Sequence, residues 1–209
     1  QLGKAPGIVR ALDWGVIEED RSLYLALDLI HRARALDLRE GPLDARLKRL
    51  ATAASLVNRI HRQGVVHRDV KPGNFLVSEQ HKIYLSDFGT ARSLRDESPE
   101  PTTINSITRT GLLMGTPLFM APEQFNDPRQ VGRAADVYAL GVMLYHCLLG
   151  RYPYEGNTVV EFLKNQLEAR YGLAPRPPQP RDVDSSVAPA LDALCMESIS
   201  LDADLRPPD

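Results

Sequence analysis

Between positions 66 and 87 the chain sets out a carboxylate, an ammonium group and two further oxygen ligands at short intervals. Val66-His67-Arg68-Asp69-Val70-Lys71-Pro72-Gly73-Asn74 runs unbroken, and Asp87-Phe88-Gly89 begins thirteen residues beyond Asn74. A carboxylate such as Asp69 can accept the proton of an attacking hydroxyl, and Lys71 can put positive charge on a migrating phosphate. Asn74 and Asp87 offer hard oxygens of the kind magnesium takes when phosphate oxygens complete its shell. A proton acceptor, cations and oxygens to hold them are what phosphoryl transfer asks of a protein. Either triplet alone would be weak, a charge cluster or a plain turn. In this order, with Lys71 and Asn74 at these offsets, the signal is strong.

The flanking sequence predicts the elements that must position these groups. Ile8 to Leu12 and Leu23 to Leu27 read as two strands joined by the acidic turn Glu18-Glu19-Asp20. From Leu43 to Gln63 apolar residues recur at helical spacing (Leu47, Leu50, Ala54, Val57, Ile60), and Gly64 suits a left-handed terminator. Short strand patterns follow at Phe75-Leu76-Val77 and Ile83-Tyr84-Leu85. Residues 92–110 are polar and aperiodic, a long loop of the kind that is usually functional. Asp136 to Leu149 predicts a strongly apolar helix, Val159 to Tyr171 a more amphipathic one, and Pro189 to Ser198 a last one. The run Pro175-Arg176-Pro177-Pro178-Gln179-Pro180 reads as a stiff surface linker.

Composition excludes several classes. The 209 residues carry 43% hydrophobic and 25% charged side chains, as in globular proteins, and suffice for one or two cores. A formal net charge of -2 gives no pull toward nucleic acid or anionic membrane. No apolar run reaches the roughly 20 residues of a membrane span, so no membrane contact is expected of this segment. Cys147 and Cys195 stand in no metal or redox spacing and read as buried, reduced thiols of a cytoplasmic protein. The chain starts at Gln1, without initiator Met or signal peptide, and reads as a trimmed domain.

Taken together, the HRD and DFG triplets and their spacing resemble the protein kinase family, in its serine/threonine branch. Lys71, two residues after Asp69, is the Ser/Thr form of that loop. Three further motifs fall in the family's order: Gly115-Thr116-Pro117-Leu118-Phe119-Met120-Ala121-Pro122-Glu123, Asp136-Val137-Tyr138-Ala139-Leu140-Gly141 and Asp204-Leu205-Arg206-Pro207. The resemblance covers nearly the whole chain. It implies an α+β, two-lobed kinase fold, with residues 1–30 a two-strand remnant of the small lobe. Residues 31–209 would then be the helical lobe with catalytic loop, activation segment and peptide platform.

The resemblance also implies roles. Asp69 would be the catalytic base, with Lys71, Asn74, Asp87 and Thr116 beside it. ATP and Mg2+ would be the cofactors, Mn2+ an alternative, and Asn74 and Asp87 the metal ligands. Leu27 would guard the back of the nucleotide pocket, the backbone of Asp28 and Ile30 would bond the adenine edge, and Leu76 would lie beneath the ring. Asp136 would hold the backbone of His67 and Arg68, with a helix N-cap as its plainer reading. Glu123 and Arg206 would form a buried ion pair, and His67 and Phe88 would join the stack aligning the lobes. Leu113, Pro117 and Met120 would line a pocket for the residue after the acceptor. Arg68 and Arg92 could receive a phosphorylated Thr108 or Thr110, whose Thr-x-Thr spacing resembles that of bacterial membrane-anchored kinases. Unmodified loop threonines are the plainer reading.

Partners implied are protein substrates with Ser or Thr acceptors and a second kinase copy for autophosphorylation, with no nucleic acid. Arginine-directed members carry carboxylates where this chain has Arg34, Gly73 and His146, so no strong preference for an upstream arginine is expected. For His146 a helix residue with its own local partner is the plainer reading. The family's glycine-rich loop and ATP-gripping lysine belong upstream of the first strand, so the 209 residues alone are expected to turn over poorly. An active kinase is the leading reading. A pseudokinase scaffold is the runner-up, and a small-molecule phosphotransferase comes third.

Overall fold

The computed structural model describes residues 5–19, 21–88, 92–93, 118–126, 131–156 and 158–208. Its fold is α+β: short strands precede and flank residues 67–74, and helices make the bulk. Strands β1 (Ala11–Val16) and β2 (Leu23–Leu27) form an antiparallel hairpin, Val16 opposite Leu23 and Ala11 opposite Leu27. A three-stranded antiparallel sheet follows in the order β3-β5-β6, from β3 (Arg34–Ala35), β5 (Phe75–Val77) and β6 (Ile83–Leu85). A two-residue ladder pairs β4 (Val65–Val66) with β7 (Arg92–Ser93).

The first predicted strand is displaced. Ile8 and Val9 do not join the hairpin; they cross to β6, where Val9 N–H donates to the Leu85 carbonyl (2.9 Å) and Leu85 N–H to that of Gly7 (2.8 Å). Both side chains are 7% exposed, whereas β1 stands largely in solvent. The larger core claims the first two apolar residues, and alternation then carries the hairpin strand on to Val16. Arg92 and Ser93, read from sequence as the start of an aperiodic loop, are instead a strand.

Helix α1 (Leu43–His61) ends two residues earlier than its periodicity suggests, and Gly64 N–H caps the His61 carbonyl (2.9 Å) at φ +77°. That backbone region is open to glycine with little strain. Helices α2 (Glu123–Asn126), α3 (Arg133–Leu149), α4 (Val159–Arg170), α5 (Pro180–Val183) and α6 (Pro189–Ser198) complete the body. Three-residue 3-10 turns lie at Pro72–Asn74 and Ala203–Leu205.

Helix α3 is the centre of the core. Tyr138, Val142, Met143 and Cys147 are fully buried on it, packed with Ala53, Val57 and Ile60 of α1 and Cys195 of α6. Its crossing with α6 is close: a Cβ on Gly141 would meet the Ser198 Cβ at 2.5 Å. The helix starts at Arg133, three residues before its predicted start, because Gly132 rather than Asp136 occupies the N-cap. Asp136 is therefore free for another use. The proline-rich stretch ahead of α5 takes no helix or strand up to Gln179. Tyr145 pins it to α3 by donating its hydroxyl to the Pro178 carbonyl (3.2 Å).

Candidate active site

The segment from β4 to β5 is shaped by one carboxylate. Asp136 is 1% exposed, so its charge needs hydrogen-bond donors to remain there. It has three: the backbone N–H of His67 (2.8 Å), that of Arg68 (2.8 Å) and Nε2 of His61 (2.7 Å). Arg68 sits at φ +68°, a left-handed conformation that disfavours side chains by about 1–2 kcal/mol. The two charge-assisted bonds to Asp136 offset that strain and turn the next residue outward.

The Asp69 side chain remains 30% exposed. Lys71 Nζ lies 2.7 Å from its Oδ2. Asn74 Nδ2 donates to the Asp69 carbonyl (2.7 Å) and to Oδ2 (3.0 Å). The Asn74 side chain is buried, and its carbonyl accepts both the N–H (2.9 Å) and the hydroxyl (3.0 Å) of Ser86. Ser86 thereby ties β5 to the residue before Asp87. His67, fully buried, bridges the same two segments: Nε2 donates to the Ser86 carbonyl (3.0 Å) and Nδ1 accepts the Asp69 N–H (3.4 Å). That pair of bonds fixes its tautomer. Phe88 packs on the His67 ring at 5.0 Å between centroids. Asp87 is exposed at φ +62°.

A second ion pair holds the far side. Arg206 Nη1 and Nη2 donate to Glu123 Oε1 (2.5 Å) and Oε2 (2.9 Å), with the Arg206 side chain wholly buried. Its guanidinium also lies 4.9 Å from the centroid of the Tyr138 ring. Three polar residues that sequence reasoning passed over complete these links. His61 reaches Asp136 from α1. Gln124 donates to the Arg68 carbonyl (2.8 Å) and accepts the Ala121 N–H (2.9 Å), so it stitches α2 to the loop at residues 67–74. Gln166 of α4 reaches Met120 and Tyr138. For His61 and Gln166 the hint in the sequence was a polar residue on a largely apolar helical face, whereas Gln124, in a helix of four residues, had none.

A family model described as "Protein kinase domain" matches residues 1–207. The chain belongs to the protein kinase family. Among curated relatives, it is 32% identical over 207 residues to the serine/threonine-protein kinase PknB of Mycolicibacterium smegmatis, covering 96% of this chain and 31% of that protein. To the serine/threonine-protein kinase pkn3 of Myxococcus xanthus it is 31% identical over 210 residues, covering 97% of this chain and 37% of that protein. To the serine/threonine-protein kinase PknA of Mycobacterium tuberculosis it is 32% identical over 189 residues, covering 87% and 41%. The chain thus spans between about a third and two fifths of the length of these relatives.

The remaining expected kinase residues fall as follows. Leu27 ends β2, 43% exposed. The Asp28 N–H is spent on the Arg10 carbonyl (2.8 Å), and the Ile30 carbonyl closes a turn onto Ala33 N–H (3.2 Å). Leu76 is half-buried in β5, opposite Ala35 and Tyr84. Arg68 Nη2 donates to the Val131 carbonyl (3.0 Å), and the backbone of Arg92 pairs with Val66, just before His67. Met120 is half-buried. Thr108, Thr110, Leu113, Thr116 and Pro117 lie outside the described residues. His146 stacks on Tyr152 (4.5 Å between centroids, 8° between planes), and burial lowers its pKa, with Arg39 adding to the effect. Both cysteines are buried, and burial pushes the Cys195 thiol up to about 12. No described helix is long and apolar enough to cross a membrane.

Proposed function

We propose that the protein carrying this domain is an ATP-dependent serine/threonine kinase with Asp69 as its base. The observation that carries the reading is the cluster of Lys71 Nζ and Asn74 Nδ2 on one partly exposed Asp69 oxygen, at 2.7 and 3.0 Å. The acceptor hydroxyl oxygen attacks the γ-phosphorus as the bond to the bridging β-γ oxygen breaks, releasing ADP. Asp69 takes the hydroxyl proton, and Lys71 offsets charge on the phosphoryl oxygens.

Asn74 and Asp87 fit a magnesium ion. With its amide nitrogen committed to Asp69, Asn74 keeps Oδ1 for a cation, and the Asp87 carboxylate supplies a second hard oxygen. When bound, the ion neutralises phosphate charge and orients the nucleotide. On this reading residues 1–30 belong to the small lobe and 31–209 to the large one. Leu27, Leu76 and the backbone of Asp28 and Ile30 would receive adenine. Segment 118–123 would be part of the platform for a protein acceptor. Arg68, with Arg92, would receive a phosphate on Thr108 or Thr110, placed there by a second copy of the kinase. The family's glycine-rich loop and lysine are not among these 209 residues, so the isolated domain should transfer phosphate poorly.

The test is transfer from γ-labelled ATP with Mg2+ to a generic protein acceptor by the full protein. Phosphoserine or phosphothreonine should form, and D69N should reduce kcat by at least ~100-fold. Transfer that survives D69N would refute the assignment of the base.

A further inference from the structure

Gln166 is 1% exposed, and the phosphoryl-transfer geometry makes no use of it. A buried amide without partners is disfavoured by about 1–3 kcal/mol, so its bonds need an account. Its Nε2 donates to the Tyr138 hydroxyl (2.6 Å) and to the Met120 carbonyl (3.3 Å). Tyr138 is fully buried beneath the guanidinium of Arg206, which grips Glu123. The path Met120, Gln166, Tyr138, Arg206, Glu123 therefore returns to the segment it left, three residues further on. Its first anchor comes from α4 and its second from the turn at 203–205.

Apolar packing runs the same way. Leu118 rests on a satellite core of Tyr154, Phe162 and Ala169, which includes two residues of α4 and is separate from the main core around α3. Leu118 and Met120 of the segment that would seat an acceptor are thus held by α4, while Phe119 and Ala121 pack against the main core. The catalytic loop hangs from α3 through Asp136. Gln124 joins the two at Arg68, but Gln166 itself bonds only Met120 and Tyr138 and none of the residues 67–74.

We propose that Gln166 is a positioning residue that sets segment 118–120 against α4, so that affinity for the protein acceptor depends on it and nucleotide handling does not. The proposal rests on reading that segment as the acceptor platform. A contact equally present in ground and transition states moves KM and leaves kcat alone.

Steady-state kinetics of the full protein with a peptide acceptor would test it. Gln166→Met removes both bonds at similar volume. The KM for the peptide should rise ~10-fold, while the KM for ATP and kcat stay within about twofold. Tyr138→Phe keeps the ring beneath Arg206 and removes one bond, so a smaller rise in the same KM is expected. It decides the matter should Gln166→Met not fold. Simple loss of folded protein would lower kcat and leave both KM values unchanged, and that result would overturn the proposal, as would equal rises in the two KM values. Absence of any transfer by the unaltered protein would instead remove the kinase reading, and this inference with it.

Discussion

Asn74 Nδ2 bonds Asp69 twice, at the backbone carbonyl (2.7 Å) and at the carboxylate (3.0 Å). One side chain therefore fixes both the position of the Asp69 backbone and the rotation of its carboxylate. On the proposed reading, the same amide would position the base and leave its oxygen for a cation.

Replacing Asn74 should show this coupling. Asn74→Ala frees the carboxylate to rotate and removes the oxygen proposed for the metal, and a misplacement of about 1 Å should lower turnover ~100-fold. Asn74→Asp restores an oxygen ligand but puts a second negative charge against Asp69. Phosphate transfer by Asn74→Asp should therefore stay well below the unaltered protein at every Mg2+ concentration, which a magnesium titration of kcat would read.

Asp136 is the second point of failure. Asn at this position offers one oxygen to three donors and turns its own N–H groups toward them. Asp136→Asn should lower stability by about 2–3 kcal/mol, from unsatisfied buried donors. Urea unfolding checks it, and an unchanged midpoint would mean that the bonds from His61, His67 and Arg68 do not matter to folding.

Breaking the Glu123–Arg206 pair from the buried side should be costlier still. Arg206→Met strands the Glu123 carboxylate and leaves the Ala134 and Ser200 carbonyls without their donors, at 2.8 Å each in the intact protein. Loss of one partner of such a pair costs about 3–5 kcal/mol. Glu123 is 19% exposed and gains some solvation, so the lower end is expected. The double variant Arg206→Met/Glu123→Gln should recover part of the loss in the same unfolding measurement.

His146 makes stability depend on pH. Its folded pKa lies below the ordinary 6.5, chiefly through burial, so the unfolded chain binds the proton more readily. The stability from keeping the ring neutral is fully present above pH 6.5 and is lost as pH falls toward the folded pKa. His146→Phe keeps a ring against Tyr152 and removes the proton site. The fall in Tm from pH 7 to pH 5 should be shallower in that variant, and an equal slope would show that His146 is not the group responsible.

The strands at Phe75–Val77 and Ile83–Leu85 and the helix at Pro189–Ser198 stand where pattern and turn residues put them. Those signals are local, since period and punctuation lie within a few residues of each other. The first strand moved because Ile8 and Val9 are as apolar as a hairpin strand needs, and alternation cannot say which sheet will take them. Helix α3 begins three residues early because Asp136, read locally, is a reasonable cap. Only packing shows that its carboxylate faces a loop 68 and 69 residues away in the chain.

The sequence by itself determined the family, the order of the motifs that hold Asp69, Lys71, Asn74 and Asp87, and most of the elements that carry them. Tertiary structure alone decided that His61, Gln124 and Gln166 complete the polar links, across 75, 56 and 46 residues. The physical reason is that periodicity records which face of an element is buried and is silent about what lies opposite. A buried polar group finds its partner only where two segments cross, and that crossing is fixed by the packing of the whole chain.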